Sequence, residues 1–409
     1  MRILITAVGK RTEHWTSLFT ELTDRPGTEV TVLAADISPI TVRALGELSR
    51  QHENFRFQVV PHLIGEERSG HMASVLFGPG AGRRVRSKRP DIVHIIGEAA
   101  YLSTWQAIRM RDRRWPGTPA TLYAAQNIVM RFPFPFPLLE RESYRSISHA
   151  FPITPSALGV LRAKGYRGPA TVIPLGVDTD HFRPAAGPRT HPFTAGFVGR
   201  LEPHKGIGDL LRVTELLDCR LLLVGDGSLR GLVEKAQADR PGKVRLQRWV
   251  DHGELPRLLS QMHVVVLPSR EVVQRNVVPW VGIPLREQFG RVLVEAMACG
   301  VPVVGSDTGD IPHVIGTSGL VYPAGDTAAL AECLWRLRDD PALVARLSLS
   351  GRTRACQEFS WRGIADALLA VWRGLTATGN APAPAPTAAS PLERTEPSAT
   401  GPDGERSDR

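Results

Sequence analysis

An α/β protein built from two parallel, helix-flanked sheets in succession is what this sequence predicts. Three observations carry that expectation. Short apolar runs recur with helix-length intervals between them; the series stops at a proline-rich, aperiodic stretch and then begins again; and the residues suited to binding anions follow directly after strands.

The first series occupies residues 1–185. Strands are expected at RILITAV (2–8), EVTVLAAD (29–36), FRFQVV (55–60), DIVHII (91–96), ATLYAAQN (120–127), AFPITPS (150–156) and ATVIPLG (170–176). The segment 178–192 holds three prolines and no periodicity, so it reads as a linker. A second series follows at FTAGFVGR (193–200), CRLLLVGDG (219–227), KVRLQRWV (243–250), HVVVLPS (263–269), VPVVGSD (301–307) and GLVYP (319–323). Helical patterns separate these runs at 208–217 and 254–262 and continue at 327–338, 341–358 and 361–375. The expected division is therefore a domain at 1–185, a second at 190–360, a closing helix at 361–375 and a tail at 376–409. The tail is rich in Pro, Ala, Thr and Ser and poor in apolar bulk, which predicts disorder. Two such sheets face each other across a cleft, and ligands of this architecture bind beyond the carboxyl ends of the strands.

Composition narrows the class. Four cysteines, at 219, 299, 333 and 356, show no CxxC spacing, which argues against a disulfide framework or a zinc site and for a reducing compartment. Residues 3–8 are too short for a signal segment, and no run of about 18 apolar residues occurs, so a cytoplasmic protein is expected. The net charge is +9, yet the tail, with five acids and three arginines, contributes −2; the body carries the difference, +11. Such an excess favours anionic partners: nucleotides, phospholipid surfaces or nucleic acid.

The chemistry gathers in the second half. FVGRLEPHKGIGDLL puts Arg200 at a strand end and Lys205 just before a helix, with Gly199 and Gly206 bracketing the loop. A guanidinium forks around phosphate oxygens and an ammonium adds a point charge, although two solvated loop cations would look the same. The Gly225-Asp226-Gly227 turn is a weak phosphate signal and reads better as a tight strand-to-helix turn. After Pro268-Ser269 a long irregular loop is expected to run to Arg286, because PWVGIP (279–284) opposes regular structure. From Gly290 the sequence GRVLVEAMACG predicts a helix ending at Gly300. Its start, Phe289-Gly290-Arg291, offers unpaired N–H groups and the positive end of the helix dipole, a natural diphosphate seat. Glu287 precedes that helix and Glu295 lies within it. Eight helical residues rise about 12 Å. That spacing suits an extended ligand with hydroxyls at both ends and a diphosphate between, as in a nucleotide sugar; the plainer reading makes Glu295 a surface charge and Glu287 a dipole partner.

With these residues in view, the chain resembles the retaining glycosyltransferases of family 4, which have the GT-B fold. The resemblance covers roughly residues 1–375. It rests on GRLEPHKG (199–206), LLLVGDG (221–227), VVVLPS (264–269) and EQFGRVLVEAMACGVPVVGSDTGDIPHVI (287–315), with its Glu-x7-Glu pair. RPDIVHII (89–96), GVLRAKGY (159–166) and VIPLGVDTDHF (172–182) are similar in the first half. The resemblance implies Arg200 and Lys205 on the donor diphosphate and Glu287 on the donor sugar, helped by the amides of Phe289 and Gly290. It further implies Glu295 on the ribose and Gly9 approaching the phosphates across the cleft. Sugar transfer with retention, front-face substitution without a named protein nucleophile, no metal and no cofactor are implied as well. The donor would be a UDP-, GDP- or ADP-linked sugar, the acceptor a glycan, lipid-linked or small molecule, and the last helix would cross back to the first domain. Many members carry a His where this chain has Gln126, which can hydrogen-bond a hydroxyl but cannot titrate.

Several features stay outside that scheme. His14 and His94 read as structural. Lys10-Arg11 sit beside Gly9, where they would meet phosphate or acceptor, or solvent alone. The clusters RRVRSKR (83–89) and RMRDRR (109–114) read as solvated helix faces; the alternative is docking to an anionic membrane, with RFPFPFPLL (131–139) supplying apolar contact. A nucleotide-sugar epimerase or phosphorylase on the same fold is the second enzymatic reading. Nucleic-acid binding rests on basicity alone and lacks a recognition motif.

Overall fold

The computed structural model describes residues 1–64, 75–85, 88–130, 132–185, 192–275 and 282–377. The expectations for the tail beyond 377, for 276–281, for residues 86–87 and 131, and for the side chains of Arg11, Arg83 and Arg84 lie outside the described residues.

Two six-stranded parallel sheets form. The first contains β1 (Arg2–Val8), β2 (Glu29–Ala35), β3 (Phe55–Val59), β6 (Ile92–Ile96), β7 (Ala120–Ala124) and β8 (His149–Pro152). A short antiparallel pair, β4 (His62–Ile64) and β5 (Leu76–Phe77), lies between β3 and β6 in the chain. The second sheet contains β9 (Thr194–Val198), β10 (Arg220–Val224), β11 (Val244–Gln247), β12 (Val264–Leu267), β15 (Val303–Ser306) and β16 (Leu320–Tyr322). Strand orders are β3-β2-β1-β6-β7-β8 and β11-β10-β9-β12-β15-β16, the same doubly wound order twice. The apolar runs are continuous because helices cover both faces: β9, β12 and β15 are buried at every residue. In each sheet the order reverses beside the first strand, so the switch points open after β1 and β6 and after β9 and β12.

Differences from the expected elements have local causes. Segment 170–176 forms no strand. It runs beside β8, with Thr171 N–H on Ala150 O and Ile173 N–H on Pro152 O, but only Ala150 and Ala170 make a bridge. Pro152 has no N–H to return, which breaks the ladder. The stretch expected to be an irregular loop at 270–286 instead contains a hairpin, β13 (Val272–Arg275) against β14 (Gly282–Leu285). Pro284 is accommodated because a two-stranded ribbon is all edge. The last helix, Trp361–Ala377, runs two residues into the segment assigned to the tail. In 109–114, Arg109, Asp112, Arg113 and Arg114 are exposed as expected, whereas Arg111 is buried and donates to the carbonyls of Thr118 and Ser146 at 2.7 and 3.3 Å.

That last helix lies against the first half. Arg25 Nε donates to Asp366 at 2.7 Å, Trp361 packs on Trp15 at 5.5 Å between ring centroids, and Trp372 packs on His94 at 5.0 Å. Gly176 makes room for Trp361: a β-carbon there would enter the indole.

Candidate active site

Three loops at the carboxyl end of the second sheet meet at Glu287. After β9 the chain passes Arg200 and makes a single 3-10 turn, Pro203–Lys205, closed by Gly206 at φ +67°. A side chain at Gly206 is excluded twice, by the left-handed backbone and by the Pro268 carbonyl against which its β-carbon would lie. The loop is thereby clamped to the end of β12, and Lys205 Nζ comes 2.5 Å from Glu287 Oε2. Ser269 Oγ, one residue beyond Pro268 in the loop after β12, donates to the same oxygen at 2.9 Å. Burial alone would raise the Glu287 pKa, but the Lys205 ammonium and the Ser269 hydroxyl outweigh it and hold the carboxyl below its usual value. Arg200 is exposed, and its side chain makes no hydrogen bond among the described residues. Burial, then the Lys205 and Arg200 charges, lower the pKa of His204 between them, so the loop's positive field rests on the two cations.

The helix that follows Glu287 is Arg291–Ala298. Gly290, at φ +80°, caps its start and is buried with Phe289, whose ring packs on Phe359. Its end is a Schellman turn: Gly300 N–H bonds Met297 O and Val301 N–H bonds Ala296 O, with Gly300 at φ +64°. Glu295 faces inward. Its Oε1 accepts from Arg291 Nη2 at 2.8 Å and contacts His252 Nε2 at 2.9 Å. Burial opposes ionisation here too, but Arg291 and His252 prevail and bring the pKa to about 2. Both glutamates therefore enter the site as carboxylates, and neither is a surface charge.

The first sheet contributes from the other side. Gly9 follows β1 at φ +81°; its N–H bonds Ala35 O and its carbonyl accepts the Thr12 hydroxyl at 2.8 Å. His14, in the turn after Gly9, lies 6.5 Å from His252 between ring centroids, so the loop after β1 reaches the neighbourhood of Glu295. Gln126 follows β7, its amide held by Glu98 Oε1 at 2.9 Å and its Oε1 by Lys164 Nζ at 3.2 Å. Next to it, Asn127 Nδ2 donates to the Glu287 carbonyl and to Asp310 Oδ2, each at 2.8 Å, and the Arg286 guanidinium donates to the Asn127 carbonyl. Gly309, at φ +60°, lets the loop after β15 lie against Glu287, whose carbonyl a β-carbon would strike. The structure thus brings Gly9 and Gln126 to the same cleft as Arg200, Lys205, Glu287, Phe289, Gly290, Arg291 and Glu295. Sequence reasoning missed Ser269, Asn127, His252, Arg286 and Asp310. Their one common signal is position: each lies in a loop after a strand or just before a helix.

Residues 192–340 match the family model described as glycosyl transferases group 1. An MMP alpha-(1->4)-mannosyltransferase from Mycolicibacterium hassiacum is 35% identical over 211 residues, 49% of this chain and 47% of the relative. An alpha-maltose-1-phosphate synthase from Mycobacterium tuberculosis is 33% identical over 235 residues, 50% of this chain and 57% of the relative. The chain thus spans about half the length of these curated relatives. The solved structure of Anabaena HepE in complex with UDP superposes with a TM-score of 0.68 at 17% identity, over 91% of this chain and all of that one. Sucrose-phosphate synthase from Thermosynechococcus elongatus superposes at 0.64 and 19% identity, over 92% of this chain. Over about nine-tenths of its length the chain therefore has the GT-B fold, and residues 192–340 form a domain that matches the glycosyl transferases group 1 model.

Proposed function

We propose that the protein is a retaining glycosyltransferase that moves a sugar from a nucleotide donor to a hydroxyl of a glycan, a lipid-linked or a small-molecule acceptor. One observation carries the reading: Lys205, Ser269 and Glu287, from three separate strand-end loops, meet at the switch point of the second sheet. In this reading the second domain, 190–360, holds the donor and the first, 1–185, presents the acceptor, with the last helix on the acceptor side.

Arg200, Lys205 and the start of helix Arg291–Ala298 take the diphosphate, whose departing charge they stabilise without a metal. Glu287 positions the sugar hydroxyls, with the amides of Phe289 and Gly290 beside it. Glu295 takes the ribose hydroxyls, and Gly9 and Gln126 close the donor from the first domain. No side chain is assigned as nucleophile. HepE is described as bound to UDP and, in another structure, to UDP-glucose, which favours a diphosphate-linked donor here. Contact with an anionic membrane face belongs to the same reading: Phe134 is 81% exposed and Leu138 57%, beside exposed Arg141 and Arg145. Co-sedimentation with phosphatidylglycerol vesicles but not phosphatidylcholine vesicles checks that surface.

The deciding experiment is a thermal-shift screen of UDP, GDP, ADP and dTDP with their sugars, followed by NMR of the product anomer. Stabilisation by one diphosphate family and a product of unchanged anomeric configuration are expected. No stabilisation by any of them, or an inverted product, would overturn the reading.

A further inference from the structure

Beneath Gln126 lies a charged cluster that the reading above does not use. Lys164 is 94% buried at its side chain, since only 6% is exposed, and its Nζ lies 2.6 Å from Glu140 Oε1 and 3.2 Å from Gln126 Oε1. The ammonium also sits 5.1 Å from the centroid of the Phe132 ring. Tyr144 donates to Glu140 at 3.3 Å, and Glu98 Oε1 accepts the backbone N–H groups of Ala125 and Gln126 at 2.7 and 2.9 Å. Backbone and side chain of Gln126 are therefore both tethered, from opposite ends.

The chemistry of that tether has a direction. A carboxamide offers an acceptor at one end and a donor at the other, and a free one rotates to suit its partner. An ammonium only donates, so the group turned toward Lys164 must be the carbonyl. The Gln126 NH2 group is left pointing away. It has no partner among the described residues and is not one of the buried atoms lacking one, so it remains accessible to a ligand. The adjacent residue, Asn127, donates to the Glu287 carbonyl, so Gln126 belongs to the loop that meets Glu287, and the transferase reading sets its NH2 group toward the donor sugar.

We propose that Lys164, itself held by Glu140, is a positioning residue that locks the Gln126 carboxamide as a one-way hydrogen-bond donor to a sugar oxygen. The inference rests on the transferase reading. A fixed neutral donor gives the site a hydrogen bond that does not titrate and rejects a ligand group able only to donate.

The test measures affinity of the full chain for UDP-glucose against UDP, and GDP-mannose against GDP, with thermal midpoints alongside. Gln126→Ala and Lys164→Met should each lower nucleotide-sugar affinity about fivefold, the scale of one hydrogen bond, while leaving the diphosphate within about twofold. Lys164→Arg, which still donates, should restore it. The double variant should lose no more than Gln126→Ala alone, since both changes remove one interaction. Gln126→Glu keeps the contact to Lys164 but cannot donate outward, so it should bind the sugar nucleotide poorly at an unchanged or raised midpoint. Because Lys164→Met strands a carboxylate, Lys164→Met/Glu140→Gln is measured too and should behave like Lys164→Met. Fully additive losses, or wild-type affinity in Gln126→Glu, overturn the proposal and leave the transferase reading intact. Failure of wild-type protein to bind any of the four probes, or the ADP and dTDP counterparts, sinks the transferase reading and this inference together.

Discussion

Glu287 and Glu295 carry one charge into two different settings. Glu287 shares its oxygen with a lysine that the proposed diphosphate would also attract, whereas Glu295 is pinned by an arginine one helical turn away and by an imidazole. Glu295→Ala should therefore weaken binding of the nucleoside diphosphate itself by about tenfold, a loss of one to two charge-assisted hydrogen bonds. Glu287→Ala should leave that affinity nearly intact and depress sugar transfer; equal, negligible effects of the two changes on binding and turnover would contradict both roles. A third residue matters for stability. His94 is buried between Trp372, Tyr123 and Phe151, and burial lowers its pKa to about 3. Unfolding lets it take up a proton below its ordinary value of 6.5, so its contribution is complete above that pH and erodes as pH falls toward 3. The erosion is about 2 kcal/mol by pH 5. His94→Gln should flatten the urea midpoint between pH 7 and pH 5 relative to wild type; parallel curves would show that other groups govern the acid limb.

At the scale of the element, the loop after β9 depends on one glycine. Gly206 combines a left-handed backbone with contact to the Pro268 carbonyl, so Gly206→Ala should destabilise the fold by about 2 kcal/mol or more and displace Lys205. Two residues on, Gly208 lies inside helix Ile207–Leu216, and a β-carbon there meets nothing within 4 Å. Gly208→Ala should stabilise by up to about 1 kcal/mol through helix propensity. Denaturant titration of the pair separates a constraint from a tolerated flexible residue, and similar losses in both would refute the clamped loop. The elements themselves were legible before the structure because their periodicities are local: all six strands of the second sheet appear where the apolar runs predict them. The run at 170–176 failed, since what removes its ladder is a proline in the neighbouring strand. The hairpin at 272–285 was missed for the converse reason, because a strand pair with no third neighbour tolerates a proline that a central strand would not.

Across the whole molecule, Asn127 joins the halves: its single Nδ2 serves the Glu287 carbonyl and the Asp310 carboxylate. The joint is incomplete, because Asn127 Oδ1 and Arg286 Nε are buried without partners. Each such group costs on the order of 1–3 kcal/mol, which weakens the joint. Asn127→Asp sets two carboxylates against each other and should open the cleft, seen as a larger radius of gyration in solution scattering and a raised donor KM. Asn127→Asp/Asp310→Asn restores a donor–acceptor pair and should bring both values back toward wild type. An unchanged radius in the single variant would show that the contact does not hold the halves.

The sequence alone determined the two doubly wound sheets, the cluster of anion-binding residues after strands, and the two glutamates eight positions apart. Hydrophobic period, glycine placement and charge are properties of neighbours along the chain, and they need no partner to be read. Only the tertiary structure decided that Lys205 pairs with Glu287, that His252 and Arg291 hold Glu295, and that Asn127 and Lys164 tie the first sheet to the site. Those contacts join residues separated by up to 160 positions, and no local pattern encodes which loops a sheet's winding order brings together at its switch point.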